Sequence, residues 1–295
     1  MISSTVAVTY HQLNLKEVPP SNNAKKHHCL PNYILLEKTF RWFLFWKFEL
    51  AFKTFYTRGK AADELKTSMK SLIQAQVNDA KLAGRLTPDY DIGCKRPTIS
   101  DSYLPTFNKE FVHLNTTRIE RVTSRGIVTV DNVEHEFDAI VFATGFDVAK
   151  SINAFELVVE GKGGQKSIQE EEVDTPRAFL GITKPRHPNF FMLFGPGTVQ
   201  TSVIYMIECQ VEYVIDGITK MLRLGARSLS LKSSVLQKYE ESLRGSKEAS
   251  TFGHGNCTSY YKNRDGQNWV VWTKQMWEYW WLTRSFRLDN YDVQF

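Results

Sequence analysis

The chain has 295 residues, with 37 Lys and Arg against 32 Asp and Glu, for a formal net charge of +5. At 42% apolar, 23% charged and 13% aromatic it is globular rather than disordered, and long enough for one large domain or two smaller ones. So mild a charge does not argue for nucleic acid. Residues 1–60 do hold nine Lys and Arg against three Asp and Glu, a bias that suits an anionic cofactor or a membrane surface. Cys29, Cys94, Cys209 and Cys257 lie far apart without a C-x-x-C pair. That spacing argues against a zinc ribbon or a disulfide scaffold and fits a reducing compartment, so a cytoplasmic location is expected. The first residues lack both a charged n-region and a sustained apolar h-region, so no signal peptide is expected.

In chain order, residues 5–10 read as a short strand, followed by a polar, Pro-containing loop. Residues 40–56 read as a helix with a wide aromatic face. The segment carries Arg41, Lys47, Glu49 and Lys53 and is too short and too charged to span a bilayer. A second helix is expected from the three- and four-residue spacing of Ala62, Leu65, Met69, Leu72, Ile73 and Ala80, closing at Gly84 and Pro88. Residues 111–114 read as a strand, and residues 126–130 and 133–137 as a hairpin turning at Asp131-Asn132. The unbroken apolar runs 139–143 (AIVFA) and 190–194 (FFMLF) have the pattern of strands buried on both faces. After the second run, apolar residues from Val203 to Leu222 keep helical spacing. Residues 151–176 read as a polar loop excursion. The tail from 251 holds five of the seven tryptophans and a hairpin turning at Asp265-Gly266.

Four segments carry candidate chemistry. After the run at 139–143, Ala143, Thr144 and Gly145 are small, which lets a flat cofactor or another backbone approach. A buried strand that merely needs a glycine to turn explains them equally. Gly195-Pro196-Gly197-Thr198-Val199 joins a strand-like run to a helix, where free N–H groups and the positive helix end favour a delocalised anion. The bland alternative is a helix start capped by Thr198 or Thr201. Lys95 and Arg96 beside a turn could sit in water, or offer a fixed guanidinium to a phosphate or peroxy anion. His254 and Cys257 lack a second ligand pair, so no metal site is expected.

The succession GCKRP, YLPTFNKEFVHL, I-x-x-V-T-x-x-G-I-V-T-V, FDAIVFATGFD and HPNFFMLFGPGT, with a C-x-S-Y-Y-K-N tail, resembles the flavin-containing Baeyer–Villiger monooxygenases. The resemblance covers about residues 88–291. It implies an α/β, FAD/NAD(P)-binding Rossmann-like (doubly wound) fold, here incomplete, with a helical insertion at about 31–92. Residues 1–142 would be a remnant of the NADP-binding lobe, and 143–295 the later part of the FAD-binding lobe with the aromatic tail. The implied activity is that of an FAD- and NADPH-dependent monooxygenase that inserts one oxygen of O2 next to a ketone through a C4a-peroxyflavin. By position, Arg96 resembles the family's active-site arginine and Lys95 its NADP-phosphate contact. Ala143, Thr144 and Gly145 resemble the segment joining the two lobes, and Gly195, Gly197, Thr198 and Val199 the loop that meets the flavin ring.

The sequence departs from that family in lacking both G-x-G-x-x-G loops and the F-x-G-x-x-x-H-x-x-x-W fingerprint. The chain is therefore expected to begin inside the NADP-binding lobe. Two alternatives follow: a truncated, non-catalytic relative acting as a binding module, or an oxygenase acting on nitrogen or sulfur. Expected partners are a small organic substrate and O2, with no nucleic acid and no membrane span. Residues 40–56 are expected to line or cover the substrate site, with peripheral contact to an anionic membrane surface as the alternative.

Overall fold

The computed structural model describes residues 33–55, 59–95, 98, 100–145, 176–252, 259–263 and 265–295. The expected strand at 5–10 and the loop at 151–176 fall outside the described residues, apart from Pro176. The fold mixes helix and sheet and divides into two compact units. One draws on Met1–Thr39, Thr67–Asp89 and Thr98–Phe146, the other on Phe40–Lys66, Tyr90–Pro97 and Asp147–Phe295.

The first unit contains an antiparallel sheet of β1 (Ile119–Val122), β2 (Gly126–Thr129) and β3 (Glu134–Glu136), with β2 central and buried throughout. The β2–β3 hairpin turns at Asp131-Asn132, as its sequence predicts. Thr129 Oγ1 donates to Asp131 Oδ1 at 2.5 Å, and Asn132 takes the left-handed φ of +61° that such turns need. The helix expected up to Gly84 is two helices, α2 (Lys60–Gln76) and α3 (Ala80–Leu86). Asp79 makes the break by accepting from the N–H groups of Lys81 and Leu82 as the N-cap of α3. Residues 111–114 are not a strand. A one-turn helix, α4 (Tyr103–Thr106), precedes them.

The run 139–143 is not a strand either: Val141 is 88% and Phe142 72% exposed. A strand buried on both faces needs neighbours on both sides, and no described strand pairs with this one.

The second unit contains α1 (Tyr33–Phe55, from Phe40 onward), α5 (Val203–Leu224), α6 (Ser233–Ala249) and α7 (Met276–Thr283) together with an antiparallel pair, β4 (Ser228–Leu231) and β5 (Tyr291–Gln294). Parallel pairing occurs among the described residues only as the single bridges Pro185–Leu231 and Val199–Val271. Phe286 stacks on Tyr291 with ring centroids 4.3 Å apart, and the hydroxyls of Tyr213, Tyr291 and Thr183 form a buried relay at 3.1 and 3.0 Å. The relay satisfies polar atoms that burial would otherwise make costly. The tail turn at Asp265-Gly266 is present, with Gly266 N–H donating to the Asn263 carbonyl and a Lys262–Asn268 bridge.

Helix α1 is held to this unit on one side. Phe45 packs on Tyr205 at 5.1 Å, Arg41 pairs with Glu208 at 2.6 Å, and buried Glu49 accepts from Met276 N–H at 2.7 Å at the start of α7. Burial holds the Glu49 carboxyl above its ordinary pKa, and its second oxygen has no partner among the described residues. No described helix is long and apolar enough to cross a membrane.

Candidate functional site

The segment 190–202 leads into α5, a helix of 22 residues in the second unit. Its first part is not the strand its composition suggests. Met192 N–H donates to the Ile182 carbonyl at 2.8 Å, and Phe194, at φ +62°, donates to Gln210 Oε1 at 2.7 Å. Gln210 lies on the buried face of α5, and its Nε2 donates to the Tyr279 hydroxyl, which donates on to the Leu180 carbonyl at 2.6 Å. One buried amide thus ties the approach to the loop to α5 and α7.

Gly195 and Gly181 lie back to back. A Cβ on Gly195 would stand 2.2 Å from the Gly181 carbonyl oxygen, and one on Gly181 would stand 2.1 Å from Thr198 Cγ2. Only glycine permits that approach. Beyond it the loop is laced to the tail: Gly197 N–H donates to the Trp269 carbonyl, Val199 N–H to that of Val270, and Trp272 N–H to that of Val199, at 2.8–3.0 Å. Asn268 shapes the tail segment by accepting from both Val270 and Val271 N–H. Thr198 is fully buried and its hydroxyl donates to the Gly195 carbonyl at 2.6 Å. Neither Thr198 nor Thr201 caps the helix: the N-cap is Ser202, whose Oγ accepts from Tyr205 N–H at 3.4 Å.

This leaves Gly197 as the open point of the loop. It has φ +73°, and a Cβ there would meet nothing within 4 Å. A groove of about 760 Å³ opens against it, bordered also by Pro196, Trp269, Arg177 and Lys247. Arg177 forks onto the Glu240 carboxylate, and burial draws the Lys247 ammonium below its ordinary pKa. Trp269 Nε1 is buried beside the loop with no partner among the described residues. A flat, polar-edged ligand suits an open glycine next to an unused donor.

The other sequence candidates are placed as follows. Lys95 is exposed, its ammonium 4.8 Å from the centre of the Tyr90 ring. Neighbouring Cys94 is fully buried and disulfide-bonded, which the wide cysteine spacing did not foretell. Arg96, His254 and Cys257 lie outside the described residues. Ala143, Thr144 and Gly145 are exposed and belong to the first unit, whereas Gly195, Gly197, Thr198 and Val199 belong to the second. Among the described residues no group of three His, Cys, Asp or Glu could hold a metal. Burial pushes the Cys209 thiol up to about 11, so it is an inert core group rather than a nucleophile.

Sequence reasoning missed Gly181, Gln210, Asn268 and Tyr279. Of these, Gln210 left a signal: a polar residue in the stripe Met206, Cys209, Tyr213 and Gly217, where apolar spacing predicts burial.

No protein-family model matches the chain. A Baeyer–Villiger monooxygenase of Pseudomonas aeruginosa is 36% identical over 224 residues, which is 75% of this chain and 42% of that protein. The FAD-binding monooxygenase ktnD of Aspergillus niger is 32% identical over 284 residues, 89% of this chain and 45% of the relative. A Baeyer–Villiger monooxygenase of Streptomyces coelicolor is 31% identical, over 90% of this chain and 51% of the relative. Among solved structures, an oxidized steroid monooxygenase bound to NADP aligns with a TM-score of 0.72 at 27% identity, covering 82% of this chain and 47% of that one. A closed cyclohexanone monooxygenase aligns at 0.70 and 26%, over 81% and 46%. The chain spans about half the length of the relatives it matches.

Proposed function

We propose that this chain, a partial relative of the Baeyer–Villiger monooxygenases in sequence and fold, forms the flavin-facing part of an FAD- and NADPH-dependent oxygenase acting on a ketone. The observation that carries the reading is the loop Gly195–Val199: held by the tail, buried at Thr198 and Val199, and facing the groove at Pro196 and Gly197. Bound there, the flavin would supply activation of O2 with electrons from NADPH, giving ester or lactone, NADP+ and water from ketone, O2, NADPH and a proton.

The chain's own residues would do the rest. Gly197 leaves room for the edge of the ring, and Trp269 Nε1 offers a donor beside it. Thr198 and Val199 act by holding the loop, because their hydroxyl and amide are already engaged within it. Arg96 is proposed to stabilise the anion that attacks the ketone, and Lys95 to meet the phosphate of NADP. Ala143, Thr144 and Gly145 are proposed as the link between an NADP side, residues 1–142, and an FAD side, residues 143–295. The donor set fits the ring end of the cofactor. It does not supply a cradle for the diphosphate, since no G-x-G-x-x-G loop is present.

The test is product analysis under ¹⁸O2. Protein supplied with FAD, NADPH and cyclohexanone should give lactone carrying one ¹⁸O, and Arg96→Ala should lose the lactone while still oxidising NADPH. Sulfoxide from a sulfide, with no lactone, would favour the heteroatom oxygenase. Protein that melts cooperatively yet stays colourless with FAD would favour the binding module.

A further inference from the structure

Helix α1 is fixed to the second unit along one side by Phe45, Glu49 and Phe52 and leaves the adjoining flank uncovered. That flank carries Trp42 (66% exposed), Phe43, Trp46 and Leu50 (79% exposed), with Phe40 at its margin. At 100° per residue, Trp42, Trp46, Leu50 and Phe43 fall within one stripe about 100° wide. Trp42 and Trp46 meet edge to face at 5.9 Å. Glu49 joins α1 to α7 through Met276 N–H, and α7 adds exposed Trp277 and Trp281 (61%) one turn apart. Two helices bonded to each other thus expose four tryptophans.

Charge identifies what covers them. Lys47 is exposed beside Phe43 and Leu50 on the wheel, whereas the described carboxylate of this helix, Glu49, is buried. Arg284 lies 4.9 and 5.9 Å from the rings of Trp280 and Trp281. Trp281 and Arg284 also border a groove of about 740 Å³ together with Lys232, Lys238, Arg287 and Asp289, four cations to one carboxylate. Protein interfaces exclude lysine from their apolar centres, whereas at a bilayer surface a lysine extends to the headgroups while tryptophan sits at their level.

We propose that the exposed aromatic stripe of α1 and α7, with the basic groove beside Trp281, docks this protein on an anionic phospholipid surface without spanning it. This does not rest on the flavin reading, and its test needs no flavin.

Co-sedimentation of the full chain with vesicles of phosphatidylcholine containing phosphatidylserine should show binding at low salt. Binding should fall steeply when the Debye length shrinks from roughly 30 to 3 Å, and pure phosphatidylcholine should bind far less. Trp42→Ser, Phe43→Ser, Trp46→Ser and Leu50→Ser combined should weaken binding at least tenfold with unchanged circular dichroism and melting. Independently, Lys238→Glu and Arg287→Glu should each weaken it about fivefold or more at low salt. Three results would overturn the proposal: no sedimentation with anionic vesicles, equal binding to neutral ones, or vesicle binding retained by the fourfold variant. Self-association lost in that variant, with no vesicle binding by either protein, would assign the stripe to a second copy instead.

Discussion

Two segments of this chain look alike as sequence and differ as structure. Residues 139–145 (AIVFATG) and 190–198 (FFMLFGPGT) each run from an apolar stretch into small residues. The second is fixed: Gly195 lies against Gly181, Phe194 is bonded to Gln210, and Gly197 and Val199 are bonded to 269–272. The first turns Val141 and Phe142 outward and pairs with no described strand. An apolar run states that it is to be buried, not by what. Where the same unit supplies the partners, the loop is ordered by ordinary packing and hydrogen bonds.

That contrast can be broken most sharply at Gly195. A methyl group there has no space against the Gly181 carbonyl, so Gly195→Ala should cost about 3 kcal/mol in urea unfolding. A loss below about 0.5 kcal/mol would show that the close approach is not what fixes the loop. Next, Gln210→Leu leaves Phe194 N–H unbonded and strips the Tyr279 hydroxyl of its donor, so it should cost about 2 kcal/mol. Tyr279→Phe should cost less, because Gln210 Oε1 keeps Phe194.

Glu49 gives a smaller and pH-dependent effect. Its pKa is raised above 4.5 by burial, so the stability it contributes is fully present below about pH 4.5 and is lost as pH rises through the folded value. Glu49→Gln keeps an acceptor for Met276 N–H and removes that loss. It should match the wild type in acid and melt at a higher temperature than the wild type near pH 8. A variant less stable at every pH would contradict the assignment. Smallest of all, Val141→Ser and Phe142→Ser should each change stability by no more than about 0.5 kcal/mol, since neither residue is packed.

What the sequence made legible was local. The turn at Asp131-Asn132, the long helix after Ser202 and the tail turn at Gly266 are each set by residues within a few positions. The break between α2 and α3 was written in Asp79 but masked by apolar spacing that continues through it. The pairing of β4 with β5 joins residues some sixty positions apart, and nothing in SLSL or YDVQ names its partner. In the site, the glycines of 195–197 were visible as a motif. Gly181 was not, because its role exists only where two distant turns meet. Thr198 resembles a flavin-loop residue by position, and its hydroxyl closes the loop on Gly195, a use that hydroxyls near helix starts share with capping.

The measurement that tests the account most directly is a flavin titration followed by the fluorescence of the ring, on the wild type and on Gly197→Ala. Gly197 is the open point of the loop, and a Cβ there meets no atom within 4 Å, so the variant should fold with a loss of only about 1 kcal/mol from its positive φ. The account predicts saturable quenching by the wild type, weakened at least tenfold in the variant. Equal quenching by both proteins, or none by the wild type, would contradict it.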